Sequence, residues 1–351
     1  MRKRTPFAFT LTFIASSILV PVGRSSAVGT ADRPAPIYTI IDLGSLGGDF
    51  SAATGINEQE QVVGWASTAA GPSHAFLWEA RTGMRDLGTL GPPLRSDSNA
   101  FGINARGMVV GTSSTTAGPG HAFLWEARTG MQDLGTLDGG LFSIAEAINA
   151  RGQIVGLSDT AASANHAVLW DQGTGMQDLG TLGGLFSLAT AINGRGQIVG
   201  HGAPAAGPGH AFLWEESTGM QDLGTLGGIA SFASGINAPG QVVGTASTAT
   251  GVDHAFLWNA GLGMQDLSSQ SGLSSYSAGI NARGQVVGSA YTAAFVERAF
   301  LWEAGRGMQD LGTLGGPSSR ATAINARGQI VGYSATAEGS IHAVLWERGS
   351  N

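Results

Sequence analysis

Histidine is the residue type whose placement in this chain first suggests chemistry. Six of the seven histidines, His74, His121, His166, His210, His254 and His342, each open a His-Ala-Phe/Val-Leu-Trp segment. Imidazole is a common metal ligand, so a repeated histidine invites a metal reading. The spacing argues against it. Each copy falls on the third short segment of its own repeat, about 10 Å outside the first segment at about 4.8 Å per strand. Six imidazoles spread that way cannot converge on one ion. The expectation is structural: each bonds inside its own repeat to a backbone carbonyl or to a recurring Asp. No metal and no cofactor is expected. His201 and Glu146 are the unrepeated acid–base candidates, and no Ser-His-Asp or phosphate-loop pattern accompanies them.

Positions at which the repeats differ carry more information about function, because repeated residues are already explained by folding. Directly after the second-segment Gly the residue changes from Trp65 through His201 to Tyr333. Around the first-segment Ser it changes again, with Phe50 before that Ser in the first repeat and Arg320 after it in the last. Simple hairpin pairing sets Trp65 opposite Ala53 and Tyr333 opposite Ala321. If the first and last repeats are neighbours, Phe50, Trp65, Arg320 and Tyr333 gather at one end as three aromatics and a guanidinium. Aromatic faces stack on sugars or apolar side chains, and Arg pairs with acids, so these four are the candidate ligand-binding residues.

The elements that must position them follow from internal repetition. Asp-Leu recurs at Asp42, Asp86, Asp133, Asp178, Asp222, Asp266 and Asp310, and Ile-Asn at Asn57, Asn104, Asn149, Asn193, Asn237, Asn281 and Asn325. A Trp closes each third segment, from Trp78 to Trp346. Every repeat holds four segments of four to seven residues, rich in β-branched and aromatic side chains and separated by turn chemistry such as Asn281-Ala282-Arg283-Gly284. Each repeat therefore reads as a four-stranded antiparallel meander. Small residues alternate in the first strand (Ser143, Ala145, Ala147), as crowding around an axis would demand, and the Trp residues would fill the wider gaps outside it. The chain enters at a fourth-strand position, Tyr38 to Leu43, and stops after the third strand of the last repeat. The expected fold is all-β: a seven-bladed β-propeller of four-stranded antiparallel blades, closed by the N-terminal strand.

Composition bounds the setting. Arg2, Lys3 and Arg4 precede an apolar run, Phe7 to Val20, and Ser25-Ser26-Ala27 offers a cleavage point, so residues 1–27 read as a signal peptide. Residues 28–36 read as a short linker, and 37–351 as a single propeller. Residues 1–27 hold four of the 18 basic residues and none of the 25 acidic ones, leaving a net charge of −11 on the rest. That charge excludes a nucleic-acid footprint, and no later segment is apolar long enough to remain in a membrane. There is no cysteine, so disulfides contribute nothing.

At His74-Ala75-Phe76-Leu77-Trp78 the sequence resembles the bacterial extracellular HAF-repeat proteins. Gly-Ile-Asn, Gly-Gln-Val-Val-Gly and Asp-Leu-Gly-Thr-Leu-Gly-Gly carry the resemblance across about residues 38 to 346. It departs at Arg298, Val168, Val344 and Ser268, most of all in the sixth repeat. The resemblance implies export and a surface or extracellular setting, and it supplies no catalytic residues; after signal-peptide cleavage the expected location is extracellular, or else periplasmic or cell-surface. A rigid ring with variable loops suits recognition. The expected function is a non-catalytic binding or adhesion scaffold, acting as a monomer on an extracellular protein or glycan. A purely structural surface repeat and a propeller-based lyase or hydrolase are the alternatives.

Overall fold

Short alternating segments separated by Gly-rich turns cannot propagate a helix, and among the described residues 28 β-strands and no helix form instead. The computed structural model describes residues 38–92, 96–116, 118–162, 164–268 and 273–349. The expected signal peptide and linker lie outside the described residues. In the first repeat the strands Gly47–Ile56, Val62–Thr68, Ser73–Glu79 and Gly83–Asp86 pair antiparallel in chain order. The next five repeats do the same. In the last, Gly315–Ile324, Ile330–Thr336 and Ile341–Arg348 pair in order, and the fourth strand is Tyr38–Asp42, antiparallel to Ile341–Arg348 with Asp42 opposite Val344.

Each hairpin between first and second strands is set by its Asn. In the fourth repeat Asn193 Oδ1 accepts from the amides of Arg195 (2.9 Å) and Gln197 (3.1 Å). Gly196 closes the turn at φ +87°, a left-handed conformation that glycine adopts without steric cost. The first repeat carries Glu60 at this place, at φ +64°, a conformation costly for a residue with a side chain.

One feature of the first strand corrects the hairpin register. In every repeat a single residue bulges between two paired positions: Thr54 in the first, Phe101, Glu146 and Thr190 in the next three. The extra residue slides the pairing by one. Trp65 therefore lies opposite Ala52, not Ala53, and Tyr333 opposite Arg320, not Ala321. The bulged residue also turns toward the neighbouring repeat. The hydroxyl of Thr190 donates to Val199 O in its own repeat and to Ala233 O in the next (3.2 and 2.9 Å).

The core lies between repeats rather than within them. Seven apolar clusters each draw on two consecutive repeats; Val63, Ala75 and Leu77, for example, pack with Val109, Phe123 and Trp125. One cluster joins Val331, Ala343 and Leu345 of the last repeat to Ala53, Val62 and Phe76 of the first. Phe76, Phe123, Phe212 and Phe256 are completely buried, each stabilising the fold by about 1.5–3 kcal/mol. Trp125, Trp170, Trp214 and Trp346 are buried in these seams.

Three series of polar bonds cross the same seams. Each Asn Nδ2 donates to the next Asn carbonyl: Asn57 to Asn104, Asn104 to Asn149, Asn149 to Asn193, then on to Asn237, Asn281 and Asn325. Asn325 donates back to Asn57 O at 3.2 Å. Likewise Ser98 Oγ accepts from Ala75 N, and Ser51 Oγ from Ala343 N, both at 2.8 Å. Thr322 Oγ1 donates to Ala53 O at 2.9 Å.

Candidate functional site

The repeated histidines are engaged where the sequence expected a partner. Nδ1 of His74, His166, His210 and His254 donates to Asp86, Asp178, Asp222 and Asp266, each at 2.7 Å. His342 donates to Asp42 across the chain ends at 2.8 Å. The other oxygen of each Asp caps the turn that follows, as Asp222 Oδ1 does for Gly224 N at 2.8 Å. In the sixth repeat Arg298 replaces the histidine and reaches Asp310 at 3.2 Å. Among the described residues no group of three His, Cys, Asp or Glu side chains could hold a metal ion.

The four residues singled out as a ligand face form two pairs on neighbouring repeats. Trp65 lies between Phe50 (ring centroids 6.3 Å apart) and Phe101 of the second repeat (6.3 Å, edge-on). Trp65 thus covers the seam between first and second repeats. Arg320 lies opposite Tyr333 in the hairpin and extends toward the sixth repeat, where Glu297 Oε1 lies 3.6 Å from its Nε. The guanidinium therefore already has a carboxylate beside it.

Glu146 and His201 are the titratable groups most displaced from their ordinary behaviour. Glu146 occupies the bulge of the third repeat, where the fourth, fifth and seventh repeats place Thr190, Ser234 and Thr322. Those hydroxyls donate to carbonyls of their own repeat and of the next. A carboxylate can only accept, so it cannot make the bonds those hydroxyls donate. Burial pushes its pKa up to about 7, and no hydrogen bond or ion pair engages its carboxyl among the described residues. His201 lies against Phe186 (5.6 Å) and edge-on to Phe232 of the fifth repeat (5.0 Å), with Nδ1 buried and unpartnered. Burial lowers its pKa to about 4, so it is neutral at pH 7. Neither group is perturbed by the other, and His201 faces the fifth repeat rather than the third. The two do not form an acid–base pair. What singles out Glu146 was visible in the sequence only as a break in a Thr/Ser pattern, one the unrecognised bulge concealed.

No family model matches the chain, and no curated protein matches its sequence. Solved structures share its fold at low identity. The β-propeller domain of the Trilobed protease from Pyrococcus furiosus superposes with a TM-score of 0.54 at 9% identity, over 86% of this chain and 97% of that one. A lectin, BP39L from Burkholderia pseudomallei, gives 0.53 at 10% over the same shares. Puromycin hydrolase gives 0.58 at 12%, over 86% of this chain and 52% of its own, so the chain spans about half the length of that enzyme. These likenesses correct the expectation of a non-catalytic binding or adhesion scaffold. That expectation rested on a rigid ring suiting recognition, and the same fold occurs in the β-propeller domain of a protease and over about half of a hydrolase chain. The chain has the β-propeller fold.

Proposed function

We propose that the seven repeats close into a seven-bladed propeller through the N-terminal strand, and that the ring serves peptide hydrolysis with Glu146 as its acid–base group. Closure is supported by the Asn series returning from Asn325 to Asn57, by the His342–Asp42 pair, and by the core cluster common to the last and first repeats. First strands also touch first strands all the way round, Gly315–Ile324 against Gly47–Ile56 included. This is how strands that line an axis must pack. The resemblance to HAF-repeat proteins and the N-terminal sequence support export, with cleavage near Ala27.

The hydrolytic reading is carried by one feature: a carboxyl on the innermost strand, at a place where other repeats carry hydroxyls, whose pKa burial pushes up to about 7. A group whose pKa matches the working pH serves best as both base and acid. As carboxylate, Glu146 takes a proton from water while the water oxygen adds to the amide carbon. As acid, it returns that proton to the leaving nitrogen as the C–N bond breaks. Its partly buried placement on the ring wall, which disfavours the charged form, favours such transfers. Structures that share the fold include the β-propeller domain of a protease and about half of a hydrolase chain. The test is incubation of the purified chain at pH 7 with a defined peptide pool, read by mass spectrometry. New termini should appear with the native chain and vanish with Glu146→Gln. A pool left intact, or cut equally by both proteins, refutes the assignment.

A further inference from the structure

The turns that follow the innermost strands carry a charge pattern that the hydrolytic reading does not use. Arg106, Arg151 and Arg195 occupy the same turn position in three consecutive repeats, all exposed. Each backbone amide is tied to its Asn Oδ1 at 2.9–3.0 Å. Neighbouring Asn residues are bonded in turn from Asn104 to Asn149 and from Asn149 to Asn193, both at 3.2 Å. The three arginines therefore stand side by side on a rigid arc. None of their guanidiniums has a hydrogen bond or ion pair among the described residues.

The junction between the last and first repeats displays what such a turn binds. There the neighbouring turn reads Glu58-Gln59-Glu60 instead of Ala/Gly-x-Gly. Glu58 Oε1 accepts from the backbone amide of Ala326 at 2.8 Å. Glu60 Oε1 accepts from Arg327 Nη1. Two carboxylates one residue apart thus satisfy one amide and one guanidinium of the adjacent turn. Glu60 is held there in the left-handed conformation where other repeats carry glycine, so the contact is made against local backbone strain.

At three consecutive junctions the same donors recur, and the facing turn supplies no carboxylate. They are Ala105 N with Arg106, Ala150 N with Arg151, and Gly194 N with Arg195. The turns that face them supply Ala150 and Gly152, Gly194 and Gly196, then Ala238 and Gly240. Arg151 and Arg195 line one cavity of about 940 Å³, and Arg106 lines another of about 580 Å³. Asp171, Glu215 and Glu216 line the same cavity as Arg151 and Arg195; Gln153 Nε2 donates to Asp171 at 3.0 Å and Gln197 Nε2 to Glu215 at 2.6 Å. Those acids hem the arc on a chain whose net charge is negative, so an anionic ligand must be held by direct bonds to the guanidiniums and turn amides rather than by the overall field.

We infer that the arc of Arg106, Arg151 and Arg195, with the turn amides beside them, binds an acidic peptide segment with glutamates in Glu-x-Glu spacing. External carboxylates would repeat the contacts that Glu58 and Glu60 make at the closing junction. Each guanidinium offers charge-assisted bonds to a carboxylate, and three on one arc favour a run of acids over a single one. The site is separate from Glu146, so binding is measured on Glu146→Gln protein. Loss of either reading then shows independently of the other.

The experiment is fluorescence anisotropy of a labelled hexaglutamate peptide titrated with the full chain at low salt, with hexaglutamine as control. Saturable binding of hexaglutamate alone is expected, weakened at least about tenfold by Arg151→Gln and by Arg195→Gln. Arg151→Lys, which keeps the charge and removes the planar fork, should fall between. Arg283→Gln, on the same kind of turn but outside the arc, should leave binding nearly unchanged. Melting curves of all variants should overlay, since these side chains are exposed. Absence of hexaglutamate binding overturns the inference. So does an equal loss from Arg283→Gln, which would mean diffuse attraction, and so does tighter binding of polygalacturonate, which would make the arc a site for acidic polysaccharide.

Discussion

Glu146 gives stability a pH dependence that can be worked out beforehand. The folded chain raises its pKa from 4.5 to about 7, and each pKa unit is worth about 1.4 kcal/mol between the two protonation states. The full shift amounts to about 3 kcal/mol, and the residual solvent contact of the side chain trims this to about 2 kcal/mol. The folded state holds the proton more tightly than the unfolded chain does. Stability referred to the neutral acid is therefore complete below the unfolded pKa and is lost as pH rises through about 7. Glu146→Gln is nearly isosteric, cannot ionise, and can donate to the carbonyls that Thr190 and Ser234 satisfy in their own repeats. Urea unfolding of both proteins at pH 4 and pH 8 isolates the term, because every other titrating group is common to both. Relative to the native chain, the Gln variant should gain about 2 kcal/mol between pH 4 and pH 8. Parallel stability curves would mean that the carboxyl is solvated in the folded state. The hydrolytic role would then lose its physical basis.

His201 acts with the opposite sign. Its pKa falls from 6.5 to about 4, so its share of stability is lost as pH falls from 6.5 toward 4. His201→Leu, which copies the buried Leu157 of the third repeat, should spare up to about 3 kcal/mol of that acid loss in urea melts at pH 4 and 7. Asn193→Ala should cost about 3 kcal/mol or more by calorimetry, because it strips two amides and the Asn237 carbonyl of their partner. A loss under 1 kcal/mol would mean that water replaces the Asn bonds. Deleting residues 38–43 removes the strand paired to Ile341–Arg348. It should lower the melting temperature and increase binding of a hydrophobic dye, and unchanged melting would refute ring closure.

Legibility in the sequence followed the range of each interaction. Strand type, the order of strands and the N-terminal fourth strand are written in short patterns such as His-Ala-Phe-Leu-Trp and Asp-Leu-Gly, whose side chains meet within one repeat. His210 and Asp222 lie twelve residues apart, close enough for a fixed spacing to reveal them. The bulge has no residue signature. Thr54, Phe101, Glu146 and Ala278 differ too much to mark a common place, and only backbone pairing shows that each is the extra residue. Missing it set Trp65 opposite Ala53 and hid the position of Glu146 on the innermost strand. Bonds between repeats were equally silent. Every Asn of the series was visible as a turn former, but its second partner, the next Asn carbonyl, lies 44 residues away in most pairs and 268 away at the closure. The arginines behave the same way. As sequence they are repeated turn residues, explained by folding. Only the junction of the last and first repeats, where Glu58 and Glu60 meet Ala326 and Arg327, displays such a turn with carboxylates beside it. Conserved-looking repetition therefore concealed the feature with the clearest ligand chemistry, and the one aberrant turn exposed it.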